Sequence, residues 1–111
     1  MPRYKRARLA SAWSAYLQAV AVVARVSGLP MEAIAARRGA GRIGGELAFC
    51  RSAAIYLAVC GLDTQQAHLA QALSRPRWPI WNACRSIEAR RDDPKFDLLM
   101  TSMEKMLGET A

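Results

Sequence analysis

Arginine and tryptophan side chains are concentrated in one short segment of this chain, residues 63–88 (DTQQAHLAQALSRPRWPIWNACRSIE). Arginine binds phosphate through a charged fork of N–H donors, tryptophan stacks on flat groups, and asparagine can hydrogen-bond to base edges. The candidate binding residues in the segment are Arg75, Arg77, Trp78, Trp81, Asn82 and Arg85. This combination of residue types is typical of a surface that binds nucleic acid.

The same segment predicts two short helices joined by a tight turn. Asp63 is expected to cap the first helix, and Leu69 and Leu73 mark its apolar side. Pro79 fits the first turn of the second helix, where its missing N–H costs little. Helical spacing separates the candidate binding residues of the second helix from an apolar face made of Ile80, Ala83, Cys84 and Ile87.

The excess of basic over acidic residues lies before residue 86. The chain has 16 Lys and Arg against 9 Asp and Glu, which gives a net charge of +7 and a pI near 10.0. Residues 1–85 hold 12 of these basic residues and 3 of the acidic ones, so the net charge is +9 there and −2 beyond. Such an imbalance favours a polyanionic partner, although an ordinary basic surface would have the same composition.

Glycine and proline residues mark the expected ends of helices along the chain, and their positions predict an all-α fold of about six helices. At 111 residues, 52% of them hydrophobic, the chain has room for one core. We expect a basic N-terminal arm at residues 1–9 and a single helical helix-turn-helix domain at residues 10–111. The last helix is expected to be capped by Asp93 and to end at Gly108. Its predicted buried stripe is Phe96, Leu99, Met103 and Met106.

Basic residues followed by an apolar stretch make the N-terminus superficially similar to a signal peptide. Ser11, Ser14 and Gln18 interrupt the apolar stretch, however. The apolar residues that recur at helical spacing are Leu9, Trp13, Tyr16, Val20 and Val23. The pattern predicts an amphipathic helix that packs on the core and not a membrane span, and hence a cytoplasmic protein without a membrane partner.

A glycine-rich basic loop is predicted at residues 39–45, directly after a short helix. Its letters match G-x-G-x-x-G, but that signature needs a preceding strand, so dinucleotide binding is not expected. Arg37, Arg38 and Arg42 would instead suit contacts to the DNA backbone or the minor groove. An ordinary connection between helices is the alternative interpretation.

Residues for catalysis or metal binding are scarce. The chain has one histidine, His68, and no C-x-x-C pair, which argues against zinc. Asp93 and its acidic neighbours lie where a helix begins, so capping explains them better than acid–base chemistry. The cysteines, each in an apolar helical pattern and expected to be reduced core residues, are Cys50, Cys60 and Cys84. We therefore expect a binding protein, with no catalytic residue, metal or cofactor.

Three segments of the chain resemble the C-terminal DNA-binding domain of DnaA, the bacterial replication initiator. The sequence ACRSIE at residues 83–88 resembles A-C-R-K-I-E of the family's recognition helix. LPMEAIAARR resembles its second helix and basic loop, and RSAAIYLA places Arg51 on a basic family position near DNA. The resemblance covers about residues 16–107 and implies a TrpR-like helix-turn-helix fold that binds double-stranded DNA.

The chain departs from this family where the family reads its DNA box. The signature G-G-R-D-H-T-T-V is replaced by SRPRWPI at residues 74–80, and only Arg75 and Ile80 carry over. Base-reading groups are thus replaced by groups that bind phosphate or stack, so recognition of the same box is not implied. The initiator's ATPase module is also missing from these residues, so the chain is not expected to remodel an origin alone.

Two functions are compatible with these features. The first is a nucleoid-associated regulator of replication initiation or transcription that contacts double-stranded DNA with altered or relaxed specificity. The second is an interaction module that kept the fold and uses Trp78 and Trp81 to bind the replication initiator or one of its regulatory proteins. Tryptophans that project from a surface are common in protein interfaces, which favours the second.

Overall fold

The structure is a computed structural model that describes the backbone of residues 3–35 and 45–110 and the side chains of residues 8–35 and 45–109. These residues contain helices and no strand, which confirms the prediction of an all-α fold. A five-residue π-helical segment, Leu57–Gly61, continues the third helix and is called the π-turn below. The α-helices are α1 (Arg3–Ser27), α2 (Met31–Ala35), α3 (Gly45–Tyr56), α4 (Gln66–Ala72), α5 (Arg77–Arg90) and α6 (Pro94–Thr110).

Helix α1 lies at the centre of the fold and contacts α2, α3, the π-turn, α4 and α6. Tyr16, Val20 and Val23 are buried on its inner side, as the helical spacing predicted. Buried alanines on the same helix have small side chains, so neighbouring helices can approach α1 closely. The buried alanines of α1 are Ala12, Ala15 and Ala19.

The beginning of α1 differs from the prediction. The helix starts at Arg3 and not near Ala10, so the part of the predicted arm at residues 3–9 is helical. By length and composition alone, the segment Arg8–Ser27 could cross a membrane, a test that core helices and signal sequences also pass. In the structure this segment supplies the buried residues around which the other helices pack.

The π-turn explains why the first helix of the 63–88 segment begins later than predicted. Its wider hydrogen-bond ring is closed by the Leu62 amide, which donates to the Leu57 carbonyl at 3.0 Å. Asp63 follows with φ of +58°, in the left-handed region that aspartate tolerates better than most residues. The prediction of Asp63 as a cap is therefore wrong, and Gln65 occupies that position without a side-chain hydrogen bond.

The predicted faces of α5 are confirmed. Ile80, Cys84 and Ile87 are buried in the same core cluster as Leu69 and Leu73. Helix α5 packs against both α3 and α4, so this apolar face anchors it on two sides. Burial raises the pKa of the Cys84 thiol to about 12. Cys50 is buried as well, whereas Cys60 in the π-turn is exposed, contrary to the prediction of three core cysteines.

Helix α6 begins as predicted but presents a different face to the core. The Lys95 amide donates to the Asp93 carboxylate at 3.1 Å, which caps the helix, and Pro94 is its first residue. The helix passes through Gly108 and continues to Thr110, so Gly108 does not end it. The buried stripe consists of Phe96, Met100, Met103 and Leu107. Leu99 and Met106 are half-buried, because α6 faces α1 and the π-turn.

Two consecutive arginines join the end of α5 to neighbouring helices. The Arg90 guanidinium carbon lies 4.8 Å from the ring centroid of Phe49 and 4.5 Å from that of Phe96. Arg91 donates to Asp97 at 2.6 Å and to Glu104 at 2.9 Å, both on α6. It also donates to the Tyr56 hydroxyl on α3 at 3.2 Å. The hydrogen bond to Asp97 is the main cause that raises the pKa of Arg91 above its ordinary value.

We expect Arg91→Ala to lower the free energy of unfolding by about 2–3 kcal/mol, since hydrogen bonds to charged groups contribute about 1.5–3 kcal/mol and the acidic partners are partly solvated. Urea unfolding followed by circular dichroism measures the change. Lys105→Ala removes the same charge from an exposed position of α6 and should stay within about 0.5 kcal/mol of the parent. Equal midpoints for the two variants would contradict a structural role for Arg91.

Candidate nucleic-acid interface

The turn between α4 and α5 positions the basic residues at the start of α5. The Ser74 amide donates to the Gln71 carbonyl at 3.1 Å and the Arg75 amide to the Ala70 carbonyl at 2.9 Å. This pair of bonds is the Schellman motif, and it requires a left-handed residue, here Ser74 with φ of +54°. Extended Pro76 then leads directly into α5. Four residues thus separate α4 from α5, and both Arg75 in the turn and Arg77, the first residue of α5, are exposed.

The outer face of α5 carries the other predicted binding residues. Trp78 is 66% exposed and Trp81 is 44% exposed, which is unusual for side chains of this size. Asn82 and Arg85 are also exposed on this face. The guanidinium carbon of Arg85 lies 5.1 Å from the centroid of a Trp81 ring, within the range of a cation–π interaction. The structure therefore brings together six of the predicted residues, the others being Arg75 and Arg77.

The beginning of α5 adds positive potential to that of the arginines. Pro76 makes no side-chain hydrogen bond at the cap, and the first turn contains no acidic residue. The first backbone N–H groups of a helix have no partner within the helix and lie at the positive end of its dipole. An anion such as a phosphate is stabilised at this position.

Arg51, which the family resemblance places near DNA, is not an exposed side chain. It is buried, with 9% of its surface exposed. Its Nε donates to the Ile34 carbonyl at 3.3 Å and its Nη2 donates to the Ala33 carbonyl at 2.8 Å. These carbonyls belong to the last turn of α2, so Arg51 ties α3 to α2. The sequence did not show this, because the contact joins residues 17 and 18 positions apart.

The predicted basic loop at residues 39–45 lies almost entirely outside the described residues. The predicted DNA contacts of Arg37, Arg38 and Arg42 also lie outside them.

Two serines that the sequence did not single out lie near the candidate residues. Ser52 on α3 and Ser86 on α5 line a pocket together with Asn82. Ser86 follows Asn82 by four positions, so helical spacing alone could have placed it on the same side of α5.

Other parts of the described chain offer less defined chemistry. A larger open cleft of about 600 Å³ lies between α1 and the loop before α4, with Arg8, Asp63 and His68 along its walls. Within residues 3–35 and 45–110, no three His, Cys, Asp or Glu side chains form a group that could hold a metal ion. The strongest convergence of exposed binding groups is therefore on α5.

Comparison of the chain with protein-family models, with curated proteins and with solved structures returns no match. The function is accordingly inferred from the geometry of the α5 surface and from the residues that form it.

Proposed function

We propose that this chain is a small DNA-binding protein in which α4 and α5 form a helix-turn-helix and α5 is the recognition helix. The observation that carries the proposal is the outer face of α5. Trp78, Asn82 and Arg85 project from it, and Arg75 and Arg77 flank its first turn. Its output would be regulation of replication initiation or of transcription, through contacts to double-stranded DNA.

The dimensions of α5 suit this role. An α-helix with its side chains is about 10–12 Å across, which matches the roughly 12 Å width of the major groove of B-DNA, and the 14 residues of α5 make it roughly 21 Å long. In such complexes the first residues of the recognition helix contact base edges while flanking basic residues contact phosphates. Asn82 has the donor and acceptor pair that matches adenine, and Arg77 has the fork that matches guanine or phosphate.

The distribution of the arginines supports the same surface. Arg51, Arg90 and Arg91 contact groups within the protein. Arg75, Arg77 and Arg85 are exposed on or beside α5. Three exposed arginines are thus clustered on or beside this helix.

The resemblance of residues 83–88 to the recognition helix of the DnaA C-terminal domain supports the same assignment of α5. In place of that family's box-reading residues this chain has Pro76, Arg77, Trp78 and Pro79. These residues contact backbone or stack more readily than they read base edges, so we expect weak sequence preference.

A second candidate function is favoured by the exposure of Trp78 and Trp81. Tryptophan is enriched among residues that dominate protein–protein binding energy. In this alternative the α4–α5 unit is a scaffold, and its tryptophans bind the replication initiator or one of its regulators. DNA binding would then be weak or absent.

Single substitutions on α5 and in the turn before it distinguish DNA binding from protein binding. Arg75→Ala and Arg77→Ala should each weaken binding to duplex DNA by up to about 1.5–3 kcal/mol, the range for a hydrogen bond to a charged group, because each removes a contact to a phosphate. Their circular dichroism spectra and melting temperatures should match the parent, because both side chains are exposed. Fluorescence anisotropy with a labelled random duplex measures the affinity.

Trp78→Ala and Trp81→Ala are the contrasting variants, and Lys105→Ala is the charge control. If DNA is the partner, the tryptophan variants should lose less DNA affinity than the arginine variants, and Lys105→Ala should lose little. The DNA assignment fails if both arginine variants bind duplex like the parent. Loss of binding to purified replication initiator in the tryptophan variants would then establish the second function.

A further inference from the structure

A small pocket between α3 and α5 brings two arginines to one place. Its volume is about 250 Å³, below the roughly 300–1,000 Å³ of pockets that hold drug-sized ligands. Arg51 and Ser52 line it from α3, Arg75 from the turn, and Trp78, Asn82 and Ser86 from α5. A pocket of this size suits one compact polar group better than a whole nucleotide.

The α2 carbonyls occupy two of the three guanidinium nitrogens of Arg51. Its Nε and Nη2 are used by those carbonyls, while Nη1 is buried and has no hydrogen-bond partner in the described part of the chain. A buried charged donor without a partner is costly and uncommon in folded proteins. An anion in the pocket would lie beside the Arg51 side chain, which lines it, and would offset part of the cost of burying its charge.

The electrostatics of the pocket favour an anion. None of the described residues that line it is acidic, and two of them are arginines. Both charges act on the buried Tyr16 hydroxyl, whose pKa is raised by burial and lowered by Arg51 and by Arg75. The two positive charges therefore converge on one region, and an anion between them would replace their repulsion with attraction.

We propose that this pocket binds a phosphate group between Arg51 and Arg75. The hydroxyls of Ser52 and Ser86 and the amide of Asn82 are the neutral donors to its oxygens. A tetrahedral group with several acceptor oxygens matches this set of donors, and arginine is the preferred cationic partner of phosphate.

The phosphate can come from solution or from the backbone of DNA. The first source is independent of the proposed function, whereas the second rests on it, because the pocket lies beside Trp78 and Asn82 on the proposed recognition helix. A backbone phosphate held there would fix the depth and direction of α5 in the groove without reading sequence.

Titration with inorganic phosphate at constant ionic strength tests the pocket directly. We expect saturable shifts of the backbone amide signals of Ser52, Asn82 and Ser86 in ¹H–¹⁵N NMR spectra, with chloride as the control anion. Ser86→Asp places a carboxylate in the pocket and should weaken phosphate binding at least tenfold. Ser102→Asp adds the same charge at an exposed position of α6 and should leave it unchanged.

Ser86→Ala and Asn82→Ala are milder variants that keep the charge of the pocket. Each should weaken phosphate binding severalfold while the melting temperature stays that of the parent. Absence of saturable shifts in the parent protein would overturn the proposal, as would equal phosphate affinity for the parent and Ser86→Asp. Arg51→Ala is not the decisive variant, because it would also remove the two hydrogen bonds from α3 to the carbonyls of α2.

Duplex DNA distinguishes the two sources. If the backbone supplies the phosphate, inorganic phosphate should displace DNA more strongly than chloride does, and Ser86→Asp should weaken DNA binding more than Ser102→Asp does. If only free phosphate binds, inorganic phosphate should displace DNA no more strongly than chloride does at equal ionic strength, while phosphate affinity still differs between Ser86→Asp and Ser102→Asp. A parent protein that binds phosphate but no DNA would overturn the proposed function and support the phosphate site.

Discussion

Ile87→Ala should lower the free energy of unfolding by about 2–5 kcal/mol, as other large-to-small changes in cores do. Ile87 is 1% exposed and belongs to the cluster that contains Leu69, Leu73 and Ile80. Truncation would leave a cavity where α5 packs against α3 and α4, and these helices cannot close it without moving the outer face of α5. The loss should therefore appear in both stability and DNA binding.

Chemical unfolding in urea, followed by circular dichroism, measures this loss. Leu98→Ala is the matched control, because it removes a side chain of the same size from a position that is 68% exposed. It should change the free energy of unfolding by less than about 0.5 kcal/mol. A midpoint for Ile87→Ala equal to that of the parent would mean that the apolar face of α5 does not anchor the helix.

The second large effect is the salt dependence of binding to DNA. If about three phosphates are neutralised, affinity for random duplex should fall by roughly 40-fold between 50 and 200 mM salt, at a slope of about −2.7. The reason is the release of counterions from DNA when Arg75, Arg77 and Arg85 contact its phosphates. The exposed positive charge of this surface makes the effect large.

Anisotropy at four or five salt concentrations measures the slope. Arg77→Ala should make it shallower by about one unit, since one phosphate contact is removed. Lys105→Ala on α6 should leave the slope unchanged. Undetectable affinity for duplex at 50 mM salt, or an affinity independent of salt, would be incompatible with the proposed function.

Local features of this fold could be predicted from sequence because the interactions responsible for them span only a few residues. The separation of Ile80, Ala83, Cys84 and Ile87 from the outer face of α5 follows from the helical repeat alone. The cap formed by Asp93 follows from a side chain that reaches an amide two residues away. Both predictions are confirmed.

Predictions failed where a distant neighbour decides the outcome. The buried stripe of α6 includes Met100 and Leu107 because α1 and the π-turn lie on that side. Gly61 in the π-turn permits this contact, since an added Cβ atom would lie 2.8 Å from the Leu107 side chain. Neither the π-turn nor its close approach to α6 has a signature within a few residues of sequence.

The arginines show most clearly which features follow from local sequence and which depend on distant neighbours. Sequence alone determined that net positive charge is concentrated before residue 86 and that Trp78, Trp81 and Arg85 lie on the outer side of α5. It could not separate Arg85 from Arg51 and Arg91, whose long side chains reach groups on other helices. Which arginines remain at the surface is decided by where helix ends meet, and that depends on how the whole core packs.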